Sequence, residues 1–326
     1  MDNINAIRAE VNHVSFQNNS VKKFEAIFDE SSVLMEIVGS KLTMKIEGRK
    51  KIQEIESLLF ELLSLLYIYL GGFPQIETVK VNNLAKNLCD LQTKYFTDDR
   101  FCKEYYSTCD VNIATMNDIV LDKFRQIKQI PIASMQYLVS RGYKSVVPDH
   151  KITLMLHVIE GIVEKRMLCK LHGKTDIKGG IKGASNYLCQ NYFFKYQEKF
   201  DCEILQLLQV TENRFIKNIW DTRDWYSHLL NSDQKPDRLK KGSDMIIYFE
   251  ILMYAARLLI MDLLEVPYDE SKIAEFYYVI HDWLQDVFGK KNQPLKSRTY
   301  RNCKSIEEAM IMLHNIGNAV QVNKSL

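Results

Sequence analysis

The stretch "ILQLLQVTENRFIKNIWDTRDWYSHLL", residues 204–230, decides how this chain is read. Its apolar positions Ile204, Leu208, Phe215 and Ile219 recur at intervals of four or seven, one face of a helix with 3.6 residues per turn. Four residues further along, that face meets Arg223, and Tyr226 and Leu230 then continue it. A guanidinium is always charged and is costly against apolar surroundings unless an anion, a cleft or a second subunit meets it. His228 follows Asp224 by four residues, close enough on a helix for a carboxylate to orient an imidazole and favour its charged form. Arg223 and His228 are five residues apart, ~140° around an ideal helix and ~7.5 Å along it. Convergence of the two on one phosphate therefore requires a kink, the long reach of arginine, or a second copy of the motif.

Outward from this segment the pattern is helical, over 114–141, 150–171, 184–199, 202–230, 243–265 and 270–288. Thirteen glycines and six prolines in 326 residues, against long runs of Leu, Ile, Met, Lys and Glu, favour the same class. The N-terminal part differs. "KFEAIF" and "VLMEIV" alternate in polarity, "KLTMKIEG" follows, and "QIETVKV" lies beyond an apolar helix at about 50–70 that Gly71, Gly72 and Pro74 end. The fold class is thus mainly α, with a smaller α/β region over 1–111, a helical domain over 112–290 and a basic segment with a helix over 291–326.

A hydrophobic fraction of 46% and a charged fraction of 26% describe an ordinary soluble globular chain. The net charge of +2 offers no general attraction for nucleic acid, so any such site is a local patch. No basic, then apolar, leader is visible in "MDNINAIRAEVNH". The seven scattered cysteines lack CxxC pairs and suit free thiols in a reducing cytoplasm. The apolar run 58–70 is too short to cross a bilayer, and Glu250, Arg257, Asp262 and Glu265 interrupt the run 245–266, which reads as a buried helix.

Two loops flank the motif helix. "HGKTDIKGGIKGAS" (172–185) is rich in glycine but lacks the spacing of a phosphate loop and no strand leads into it, so it reads as a flexible linker, which disfavours a nucleotide-binding regulator. "NSDQKPDRLKKGSD" (231–244) supplies Lys235, Arg238, Lys240 and Lys241 beside the motif. A second basic stretch, "GKKNQPLKSRTYRNCKS" (289–305), carries Lys296, Arg298 and Arg301 around Tyr300 and could hold an RNA backbone. Cys169 and His172 have no second pair with metal-ligand spacing, and no cofactor is implied.

"WDTRDWYSHLL" resembles the Rx4-6H signature of HEPN domains, and in particular the form found in ApeA-type HEPN proteins of bacterial antiphage defence. There an arginine, an Asn or Asp, aromatics and a histidine occur in this order. The supporting context spans about 112–290: "LMLHVIEGIVEKRM" with Glu160, the glycine-rich loop, the motif helix and "YFEILMYAARLLIMDLLEV". The resemblance implies a HEPN-type helical bundle and a metal-independent endoribonuclease acting as a homodimer. Arg223 would hold the scissile phosphate, His228 would transfer protons as the RNA 2′-OH attacks, and Asp224 would orient the site. A 2′,3′-cyclic phosphate would result. Tyr226 and Glu160 read as supporting residues, Glu160 as a structural partner of Arg223. Leu230 departs from the tyrosine found at that place in HEPN toxins paired with a nucleotidyltransferase, so control by modification there is not implied. The N-terminal region would sense a phage-derived trigger or restrain the nuclease. The alternative class is a noncatalytic helical dimerisation or RNA-binding module.

Overall fold

The computed structural model describes residues 4–12, 22–39, 41–70, 75–86, 118–128, 148–164, 180–228, 234–240 and 242–288. The chain forms two compact units, each assembled from separate stretches of sequence. One comprises Met1–Val146, His157–Asp176 and Arg257–Lys272, the other Val147–Leu156, Ile177–Ala256 and Ile273–Leu326. The expected boundary at 111 and the basic segment 291–326 lie outside the described residues.

The first unit is built on a six-stranded antiparallel sheet. Its strands are β1 (Asn5–Asn12), β2 (Lys22–Phe28), β3 (Ser31–Val38), β4 (Lys41–Gly48), β5 (Gln75–Val81) and β6 (Leu84–Ala85), in the order β2-β3-β4-β1-β5-β6. Alternation does the work expected of it. Val33, Met35 and Ile37 of β3, Leu42, Met44 and Ile46 of β4, and Ile7, Ala9 and Val11 of β1 all turn inward. Helix α1 (Ile52–Leu70) packs on β1 and β4 and buries Leu58, Leu59, Leu62, Leu63, Leu65 and Leu66. Two of the hairpins, β2-β3 and β5-β6, close through residue pairs with positive φ, Asp29-Glu30 and Asn82-Asn83, a turn geometry that suits the right-handed twist of the paired strands. In helix α2 (Asp118–Lys128), Val120, Leu121 and Phe124 are buried and Arg125 stacks over Phe28.

In the second unit the elements are the first part of α3 (Pro148–Glu164), α4 (Gly180–Cys189), α5 (Ile204–Leu207), α6 (Glu212–His228) and most of α7 (Gly242–Leu264) and of α8 (Glu270–Phe288). Helix α4 continues through a π turn, Gln190–Phe194, into one more α turn, Lys195–Lys199. The wider turn lets three consecutive aromatics, Tyr192, Phe193 and Phe194, face the interior. Phe193 meets Phe215 at 5.0 Å, Phe215 stacks on Tyr248 at 4.2 Å, and the buried Tyr277 hydroxyl donates to the Tyr192 carbonyl at 2.5 Å. An aromatic core therefore seats α6.

Two expectations are corrected here, and a third holds. The glycine-rich segment is not a linker throughout, because its last six residues, from Gly180, are the first turns of α4. The single helix expected over 202–230 is two helices. Gln209 adopts φ +56°, the Gln209 and Val210 amides close back on Gln206 and Leu205, and Thr211 then caps α6 by accepting from the Arg214 amide at 3.3 Å. Ile204 thus belongs to a separate short helix, while Phe215 and Ile219 alone begin the buried stripe of α6. The interrupted apolar run of α7 is buried as expected: Arg257 is 1% exposed and donates from Nη2 to the Ile68 carbonyl at 3.1 Å. Among the described residues no helix is long and apolar enough to cross a membrane.

Candidate functional site

The site forms where the last two turns of α6 meet the segment 234–240. Thr222 organises the junction. Its hydroxyl donates to the Asn218 carbonyl at 2.6 Å, a turn back along its own helix, and accepts from the Leu239 amide at 2.8 Å. Asp237 adds a second fastening. Its nearly buried carboxylate receives Arg214 at 2.5 Å and also Lys217, both from the first half of α6. The Lys217 hydrogen bond and the Arg214 charge outweigh burial and hold the Asp237 carboxyl below the usual carboxylate range. The loop is thereby pinned against the helix at two heights.

So anchored, the loop brings Lys235 over the helix. Its ammonium sits 3.0 Å from Oδ2 of Asp224 and 3.3 Å from Oδ1 of Asp221. Burial pulls this ammonium down, but the two carboxylate hydrogen bonds outweigh it and leave Lys235 above the ordinary lysine value. Arg238 lies with its Cζ 4.6 Å from the Trp225 ring and donates to the Lys235 carbonyl at 3.1 Å. Cation and indole support one another there.

Arg223 and His228 meet within one chain. Nη1 of Arg223 is 3.4 Å from Nε2 of His228 and 3.3 Å from Oδ1 of Asp224. The arginine side chain is only 16% exposed, whereas His228 is exposed at the end of α6. Of the routes open to the pair, arginine's reach is the one used. A guanidinium donates and never accepts, so this contact assigns the acceptor role to Nε2. The predicted His228–Asp224 pair is not formed among the described residues. Asp224 is taken by two cations, Arg223 and Lys235, and a carboxylate between two positive charges has little reason to turn toward an imidazole.

The remaining expected residues fall out as follows. Tyr226 is half-buried, with its hydroxyl 4.0 Å from the Met245 sulfur. Lys240 is exposed on the same loop. Glu160 is placed on α3, but its side chain, like Lys241, Lys296, Arg298 and Arg301, lies outside what is described. Among the described residues no group of three His, Cys, Asp or Glu side chains converges to hold a metal ion. Sequence reasoning missed Asp221, Thr222 and Asp237. The one local signal was the Asp221-x-x-Asp224 spacing, which puts two carboxylates a turn apart facing the lysine-bearing loop.

Taken together the cluster holds Arg223 and Lys235 in fixed positions by means of two carboxylates, beside an exposed imidazole. It can grip an anion and move a proton. No protein-family model, no curated protein and no solved structure matches this chain.

Proposed function

We propose that this chain is a metal-independent endoribonuclease of the HEPN type, a cytoplasmic homodimer that cuts RNA in phage defence or a toxin system. The observation that carries the reading is the 3.4 Å contact between Arg223 Nη1 and His228 Nε2, within a segment that resembles the Rx4-6H signature. The reaction needs these two groups. A base removes the proton of the ribose 2′-OH, the 2′ oxygen attacks phosphorus, and the bond from phosphorus to the 5′ oxygen breaks. The departing oxygen takes up a proton from an acid, leaving a 2′,3′-cyclic phosphate and a 5′-OH. Arg223 would stabilise the added charge on the phosphorane oxygens. In moving to the phosphate, it would release the Nε2 lone pair of His228 for the 2′-OH. A second copy would supply the other imidazole, so that one ring accepts a proton while the other donates one.

The test is direct. Purified protein should cut cellular RNA in the presence of EDTA, and end mapping should find cyclic phosphate. His228→Ala and Arg223→Ala should each abolish cutting with the melting temperature near that of wild type. If wild type and His228→Ala leave identical RNA profiles, including in phage-infected lysate, the chain is the noncatalytic interaction module instead.

A further inference from the structure

Trp220 precedes the motif by one turn of α6 and is half-buried. Two ammonium groups stand over its ring, Lys235 at 4.9 Å and Lys182 at 5.0 Å. Lys182 comes from the first turn of α4, a helix packed against α6, in the very segment whose composition suggested a linker. It is exposed, and its only partner among the described residues is the indole. Lys235 differs, being held by Asp221 and Asp224. The groups form a continuous row: His228, Arg223, Asp224, Lys235, Trp220, Lys182, with successive distances of 3.4, 3.3, 3.0, 4.9 and 5.0 Å.

We infer that Lys182 and Trp220 form a binding subsite for a nucleotide flanking the scissile phosphate, and that the strand bound is single-stranded RNA. The inference rests on the ribonuclease reading and deepens it. An exposed ammonium resting on a neutral indole gains little and readily exchanges that contact for one with an anion. A phosphate that draws Lys182 away also uncovers the aromatic face, and an unstacked base can then occupy it. One movement of one flexible side chain supplies both halves of nucleotide recognition, charge for the backbone and a π surface for the base. A duplex does not satisfy the site, because its bases remain stacked on each other. The row leads from this platform to Arg223 and His228, so a base on Trp220 sets which phosphate reaches them.

The experiment uses the full chain and a short fluorescent 2′-O-methyl strand, which 2′-OH attack cannot cleave, either alone or annealed to its complement. Wild type should bind the single strand more tightly than the duplex. Trp220→Ala should weaken single-strand binding roughly 5- to 150-fold, the value of one base–aromatic stack, and Trp220→Phe should restore most of it. Lys182→Gln, at an exposed position that does not threaten folding, should reduce the slope of log affinity against log salt by about 0.7. Single-strand affinity and salt slope unchanged in both Trp220→Ala and Lys182→Gln would overturn the subsite, as would failure of wild type to bind the strand or equal losses on the duplex. The ribonuclease reading is judged separately by cutting of ordinary RNA: a wild type that cuts while these variants bind normally loses the subsite alone, and one that binds as expected but never cuts loses the catalysis alone.

Discussion

Nη1 of Arg223 lies 3.4 Å from Nε2 of His228 on the same helix, although five residues and a wide angle separate their Cα atoms. The guanidinium bridges the gap by lying along the helix surface, where Asp224 steadies it at 3.3 Å. Asp224 also accepts from Lys235, so one carboxylate sets the position of two cations. This arrangement makes the roles of the acidic residues testable apart from those of the arginine and histidine.

Asp224→Asn should impair cutting less than Arg223→Ala or His228→Ala, because an amide oxygen still accepts from a guanidinium. Removing its charge leaves Arg223 and Lys235 less neutralised, so RNA should bind more tightly at low salt. Filter binding and single-turnover cutting on the same preparations separate the two effects. An Asp224→Asn variant as inactive as His228→Ala would mean that the carboxylate takes part in the chemistry itself.

Lys235 is the partner of the Asp221 carboxylate, which is 3% exposed. Lys235→Ala leaves that charge buried and should lower stability by about 1–3 kcal/mol in urea unfolding. Adding Asp221→Asn to Lys235→Ala should recover most of the loss, since the buried group is then neutral. A double variant no more stable than the single one would show that the pair is not the source of the effect.

The anchoring of the loop at Asp237 has a sign that pH reveals. Its carboxyl is depressed in the folded chain, so the stability it contributes is fully present above the ordinary value of 3.8 and is lost as pH falls through the lower, folded value. Protection of the Leu239 amide, which donates to Thr222, should fall in that acidic window when followed by hydrogen exchange. Asp237→Asn should show weakened protection already at neutral pH and no further step in acid.

Homodimerisation is expected because the chemistry asks for two imidazoles. Sedimentation at micromolar concentration should give a dimer, and mixing Arg223→Ala with His228→Ala protein should test whether complementary subunits restore cutting. A monomer with full cutting activity would require both proton transfers from a single chain.

Much of the fold was legible in short-range pattern. The strand limits at 41–48 and 75–81 and the helix limits at 270–288 agree with the chain to the residue. There, period-2 or helical spacing runs uninterrupted between clear breakers. Less legible were features made by a single backbone state: the left-handed Gln209 that splits the helix before the motif, and the π turn at Gln190–Phe194. Residue type announces neither conformation, since glutamine, which stands at both Gln209 and Gln190, is a good helix former that ordinarily continues an α-helix. Strand β1, "NAIRAEVN", also escaped notice, because its alternating Ile7, Ala9 and Val11 include a small residue and lie between polar neighbours.

For the candidate site the division is sharper. Sequence alone was enough to determine that Arg223 lies on the continuation of an apolar stripe, that His228 shares its helix, and that a lysine- and arginine-bearing loop follows. Helical periodicity is a local property, and these residues are near neighbours in the chain. Which carboxylate serves which cation was decided only in three dimensions, where Asp237 pins the loop, Lys235 swings onto Asp221 and Asp224, and Lys182 arrives at Trp220 from another helix. Such pairings depend on the packing of elements far apart in sequence, and spacing along one helix carries no information about what a distant loop or helix will place against it.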